Sequence, residues 1–311
     1  ARKDTPLESH LYSAPLFKKG GMKRITEKGQ YHNVVLAKDN KTFIDNSSSV
    51  NKPNSAALRK INGEFITWLE ENKLDDSHPL TPYLTDLAQP EYGTITAEDG
   101  QIMHYRLFKP ANMAKGKKHP VIVNVYGGPH AQRVTNSWRS KNLYFQYMAQ
   151  QGYVIFQLDN RGSYNRGKKF EDAIYKHFGV VEVADQIKGV EFLRTLDYVD
   201  PARIGIYGHS YGGYMALMTM FKAGDYFSAG VSGAPVTDWA LYDTHYTERY
   251  LGHPDTNAQG YIDSAVFPYA EGLKGPLMIY HGMADDNVLF THATKLFKQL
   301  QDNNQQFEMM T

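Results

Sequence analysis

The chain has 311 residues, 41% of them hydrophobic, and a formal net charge of +1, enough for one large or two medium domains around real cores. So small a net charge excludes functions built on bulk electrostatics, such as a nucleic-acid groove or a patch for acidic membranes. No apolar run approaches the roughly 18 residues of a membrane span, and the lack of cysteine removes thiol nucleophiles, disulfides and thiolate metal sites while leaving the redox compartment open.

The start, Ala1-Arg2-Lys3-Asp4, is polar and unlike a signal peptide. It is not a convincing natural beginning, which leaves an exported parent open. Up to about Asn72 the pattern is one of short strands and turns. His10-Leu11-Tyr12 precedes a Lys19-Gly20-Gly21 turn and residues 22–26, and residues 33–37 and 42–45 flank the polar turn Lys38-Asp39-Asn40-Lys41. Strands spaced by about 8–12 residues predict β-meander blades, with an isolated small β-module as the alternative. Residues 73–82 read as a linker.

From Tyr92 onward strands alternate with helices, which predicts a mostly parallel sheet flanked by helices. Residues 95–108 form a hairpin around Asp99-Gly100. Residues 121–126 and 154–158 are apolar runs suited to buried strands. A helix over 183–196 leads to a third buried strand at 203–207. A helix over 213–223, strands at 229–232 and 277–280, and an amphipathic helix over 287–300 follow, the last with Leu289, Ala293, Leu296, Phe297 and Leu300 on one face. Residues 307–311 begin another strand.

Gly208-His209-Ser210-Tyr211-Gly212 is a G-x-S-x-G motif. Alone it is weak, since average glycine usage produces one by chance in roughly one such chain in ten. Its context is strong. A buried strand runs into it and an apolar helix leaves it, the arrangement that lifts a nucleophilic serine above the sheet of an α/β-hydrolase. Serine needs a base, and the base an orienting carboxylate, in the chain order Ser, Asp or Glu, His. The carboxylate falls to Asp285-Asp286, after the strand at 277–280. His292, on the following helix, and His209, beside Ser210, are both unsuited as the base, so the catalytic histidine is expected about five to ten residues beyond Thr311. Tyr126, heading Tyr126-Gly127-Gly128-Pro129, can place its hydroxyl over the nucleophile and hold the oxyanion together with the Tyr211 amide.

Gly208 to Tyr214 (G-H-S-Y-G-G-Y), Tyr242-Asp243 with Tyr246-Thr247-Glu248-Arg249-Tyr250, His281 to Val288, and Leu158-Asp159-Asn160-Arg161-Gly162-Ser163 together resemble the dipeptidyl peptidase IV branch of the prolyl oligopeptidase family. The resemblance implies residues 1–80 as the end of a β-propeller and residues 81–311 as an α/β-hydrolase peptidase domain cut before its histidine. It implies Ser210 as nucleophile, Asp285 as the acid, and Tyr126 with the Tyr211 amide as oxyanion hole. Val236, Trp239, Tyr242, Tyr246 and Val288 would wall an apolar pocket for proline, and Asn287 would bind the preceding carbonyl. Flat aromatic walls suit a compact ring, and alanine is then tolerated less well.

The implied substrates are peptides with proline or alanine in second position, with no cofactor, no nucleic acid and no membrane span in this chain. The resemblance also implies a periplasmic or secreted location and admits a homodimer of the full-length parent. The residues that hold a substrate's free amino group would come from earlier propeller sequence. A related endopeptidase, tripeptidyl or acylaminoacyl peptidase stays open for that reason, whereas the intact Ser210, Asp285 and Tyr126 disfavour the alternative of a non-catalytic hydrolase-fold binding protein. A lipase or esterase is disfavoured, because Tyr126 to Pro129 replaces an H-G-G-G type of motif.

Overall fold

The computed structural model describes residues 1–17, 19–110, 113–114, 116–140 and 142–311, and the chain forms two compact units. The first comprises Ala1–Pro90 with Val134–Tyr147, the second Glu91–Arg133 with Met148–Thr311.

In the first unit, β1 (Tyr12–Ser13) pairs with β2 (Lys23–Arg24). The strands β3 (Tyr31–Leu36), β4 (Thr42–Ser49), β5 (Lys52–Lys60) and β6 (Phe65–Glu70) form an antiparallel meander in chain order. Tight turns fix its register: Asn40, at φ 55°, donates its N–H to Ala37, and Gly63, at φ 96°, donates to Lys60. The buried face is partly ionic. Asp45 accepts from His32 Nδ1 at 2.8 Å and lies 3.1 Å from Arg59 Nε. Asn136 ties the later segment to the meander, donating its backbone N–H to Leu7 at 2.8 Å and accepting from the Val50 amide at 3.3 Å.

The second unit is built on an eight-stranded sheet. Its strands are β7 (Pro90–Thr96), β8 (Ile102–Phe108), β9 (His119–Val125), β10 (Val154–Asp159), β11 (Val199–His209), β12 (Ala229–Gly233), β13 (Leu277–Tyr280) and β14 (Glu308–Met310). They lie in the order β14-β13-β12-β11-β9-β10-β8-β7, parallel from β14 to β10, with β8 antiparallel to β10. The predicted hairpin closes where Ala97 donates its N–H to Gln101 at 2.8 Å.

Between the strands run α1 (Leu143–Gln150), α2 (Lys168–Glu171), α3 (Val181–Arg194), α4 (Tyr211–Lys222), α5 (Thr244–Leu251), α6 (Ala258–Ser264) and α7 (Thr291–Asp302). One continuous core joins the strands to α3, α4 and α7 through residues such as Phe156, Val190, Leu217 and Leu296. Every residue of α4 from Tyr211 to Phe221 is buried, with Met215, Met218 and Met220 fully so, which is why its sequence is largely apolar and its one charge, Lys222, falls at the end.

The sheet and the helices α3, α4 and α7 follow the predicted pattern. The helix expected from residue 287 instead begins at Thr291, because Asp285 accepts the backbone N–H groups of Asn287 and Val288 and holds them in a loop. No helix among the described residues is long and apolar enough to cross a membrane.

Candidate active site

Ser210 is the hinge between β11 and α4. Its φ of 61° and ψ of −122° lie in a region that costs a non-glycine residue about 1–3 kcal/mol. Two hydrogen bonds hold it there: the Ser210 N–H donates to the Gly233 carbonyl at 2.8 Å, and the Ser210 carbonyl accepts from Tyr214 at 3.0 Å. The flanking glycines exist for space. A Cβ on Gly208 would lie 2.1 Å from the Gly212 oxygen, and one on Gly212 would lie 2.3 Å from the Val125 oxygen.

The parallel register pairs Gly208 with Val125, so Tyr126 leaves β9 beside the elbow. Gly127, at φ 76°, then turns the chain. The Tyr126 ring lies 6.0 Å from the Tyr211 ring and 4.4 Å beneath the Arg133 guanidinium carbon. Burial pushes the Tyr126 hydroxyl above its usual range, with Arg133 opposing the shift. The group is therefore a protonated donor at neutral pH. Tyr211 is the first residue of α4, and its buried ring donates its hydroxyl to Glu182 Oε1 at 2.8 Å.

Of the predicted pocket residues, Trp239, Tyr242 and Tyr246 form an aromatic cluster. Trp239, fully buried, stacks on Tyr246 at 6.1 Å with an interplanar angle of 14°, and meets Tyr242 edge-on at 6.0 Å. Tyr242 and Tyr246 meet at 5.4 Å. Burial raises the Tyr246 hydroxyl far above its ordinary range, with the neighbouring Tyr126 adding to the effect. Tyr242 donates its hydroxyl to Asn287 Oδ1 at 3.3 Å, and Val236 and Val288 are both buried. Asp285 is half-buried and Asp286 exposed. Asp285 Oδ1 accepts from the Asn287 and Val288 amides, both at 3.0 Å, and its Oδ2 lies 3.5 Å from His281 Nε2.

The nearby histidines have other partners. His209 stacks on Tyr280 at 5.8 Å and places Nδ1 3.1 Å from its hydroxyl. His281 donates Nε2–H to the Val288 carbonyl at 2.6 Å. His292 is buried as a packing residue, with Nδ1 accepting the Thr237 N–H at 3.1 Å.

Sequence reasoning passed over Phe178, Glu182 and Arg133, and named Tyr250 only within the segment Tyr246 to Tyr250. Phe178 meets Trp239 edge-on at 4.7 Å and Tyr211 at 5.4 Å. Tyr250 packs on Tyr246 at 5.0 Å and lines a cavity of about 420 Å³ with His130, Glu171 and Arg249. The i, i+4 spacing of Tyr246 and Tyr250 is the available signal, since it puts the two tyrosines on one face of α5.

Residues 138–311 match the prolyl oligopeptidase family. The chain belongs to that family. Its eight-stranded sheet with a serine elbow is the family's α/β-hydrolase fold. Among curated prolyl oligopeptidase family relatives, dipeptidyl peptidase 8 of Mus musculus is 37% identical over 309 residues, covering 96% of this chain and 34% of that protein. Dipeptidyl peptidase 4 of Trichophyton tonsurans is 33% identical over 318 residues, covering 99% of this chain and 38% of its own. The solved structure of Porphyromonas gingivalis dipeptidyl peptidase 4 superposes with a TM-score of 0.91 at 30% identity, over 99% of this chain and 43% of that one. These relatives are the dipeptidyl peptidases that the motifs resemble, and the chain spans about a third of the length of the curated relatives it matches.

Proposed function

We propose that the protein is a serine peptidase that releases N-terminal dipeptides after proline, and less readily after alanine. The observation that carries this reading is the placement of Ser210 at positive φ on a strand-to-helix elbow beside Tyr126. The cluster of Trp239, Tyr242 and Tyr246 supports proline as the preferred residue, because flat aromatic walls suit a compact ring.

In this reading Ser210 Oγ attacks the scissile carbonyl and passes its proton to an imidazole base, which later protonates the leaving amine. The Tyr126 hydroxyl and the Tyr211 amide hold the oxyanion. Asp285, with Oδ1 engaged by two backbone N–H groups, orients the base through Oδ2. Water then hydrolyses the acyl ester on Ser210. Asn287 binds the carbonyl before the scissile residue. Residues 1–80 supply the end of a β-propeller to this domain.

The test is hydrolysis of a Gly-Pro chromogenic amide by the full-length protein. Ser210→Ala is expected to lower kcat by about 10⁶, and N-acetylation of the substrate to abolish turnover. Persistent activity in the alanine variant would overturn the nucleophile. Equal cleavage of the acetylated substrate would replace a dipeptidyl peptidase with an endopeptidase.

A further inference from the structure

Glu182 is a fully buried carboxylate behind the elbow. Its Oε1 accepts from the Gly179 amide at 3.0 Å and the Tyr211 hydroxyl at 2.8 Å, and its Oε2 accepts from the Val180 amide at 3.2 Å. Gly179, at φ 70°, turns its N–H toward the carboxylate, and a Cβ there would lie 2.4 Å from the Tyr214 hydroxyl. Three donors converge on one acceptor group. The Tyr211 hydroxyl can donate to a carboxylate or accept from a carboxyl, so the contact holds in either protonation state. Burial raises the carboxyl pKa, with the Gly179 hydrogen bond foremost among those opposing it.

Burying a carboxyl group is costly unless its oxygens are hydrogen-bonded, and here they are. Tyr211 is what it holds. The ring is fixed at one end by Glu182 and packed against Phe178, Tyr214 and Trp239 at 5.3–5.4 Å. Its backbone belongs to the first peptide of α4, directly after Ser210.

We propose that Glu182 is a positioning residue for the reaction: by anchoring the Tyr211 hydroxyl it fixes both the amide that faces the oxyanion and the ring that backs Trp239. This rests on the functional reading above in assigning those two roles to Tyr211. Loss of the anchor frees the ring to tilt, which displaces the oxyanion donor and loosens the wall against which a proline ring is selected.

The experiment compares wild type, Glu182→Gln, Tyr211→Phe and the double variant of the full-length protein. The rate at which a fluorophosphonate probe labels Ser210 is measured beside kcat/KM for Gly-Pro and Gly-Ala amides, well below each variant's Tm. Labelling is expected to slow about tenfold in each single variant and no further in the double, and the preference for Gly-Pro to shrink about tenfold. Unchanged labelling, or losses that multiply in the double variant, would overturn the proposal. Tyr211→Phe decides alone if Glu182→Gln does not fold, since it deletes one oxygen and leaves the carboxylate its two amide donors. A wild type that is labelled but cleaves neither amide would overturn the functional reading, and the labelling rates would still decide the role of Glu182.

Discussion

The backbone N–H of Val288 donates to Asp285 Oδ1 at 3.0 Å, so the candidate acid and one wall of the candidate pocket are tied within a single loop. An asparagine at 285 keeps an oxygen for that bond and loses the charge. Asp285→Asn is therefore expected to lower kcat by about 10⁴ with little change in Tm. Asp286, exposed beside it, is expected to tolerate Asn within a few-fold. Steady-state kinetics on both variants checks the ranking, and its reversal would move the acid to Asp286.

Tyr126→Phe removes one hydroxyl and almost no volume. The Arg133 guanidinium still has a ring to cover, as it does at 4.4 Å in the native protein, so thermal stability is expected to be nearly unchanged. The loss is expected in kcat, by about 10²–10³, with KM changing far less. A raised KM at constant kcat would make Tyr126 a ground-state binding group.

Glycines in and around β11 differ in what surrounds them. Gly208 faces the Gly212 oxygen at 2.1 Å from an added Cβ, whereas Gly205 meets nothing nearer than the Ala229 oxygen at 3.4 Å. Gly208→Ala is expected to destabilise by about 3 kcal/mol or more, and Gly205→Ala to change stability by less than about 1 kcal/mol. Urea denaturation of the two variants tests the contrast.

His292 makes stability depend on pH. Burial lowers its pKa from 6.5 to about 4, so between those values the unfolded chain binds the proton that the folded one refuses. The contribution is fully present above about pH 6.5 and is lost as the pH falls toward 4. Urea midpoints followed down this range are expected to fall more steeply for wild type than for His292→Asn. Parallel curves would show that the imidazole does not titrate as described.

The second unit was legible because its inner strands carry apolar runs, the mark of strands covered on both faces of a parallel sheet, as Val154–Asp159 is along its whole length. Leu277–Tyr280 carries that signal within four residues. By contrast, β5 alternates small and polar residues such as Ser55 and Ala57, which are buried by their neighbours and not by their own bulk. Its strand was therefore invisible to propensity. The short helix α5 was hidden for another reason: Thr244–Leu251 mixes tyrosines with charges, and an Asp243 side-chain cap on the Tyr246 amide at 2.8 Å starts it. Glu182 was unreadable. A charged residue in the first turn of a helix ordinarily faces water and favours the helix dipole, and only the arrangement of Gly179 and Tyr211 around it reveals a buried anchor.

The buried helix behind Ser210 has a consequence for chemical damage. With no thiol among the 311 residues, methionine is the principal sulfur target for peroxide. Met215, Met218 and Met220 are sealed inside α4, while Met283, 70% exposed on the loop that carries Asp285, is open to attack. Sulfoxide would form first at such exposed positions, where added polarity costs little. Oxidation inside α4 would have to wait for the helix to open, so its arrival would mark unfolding and not precede it.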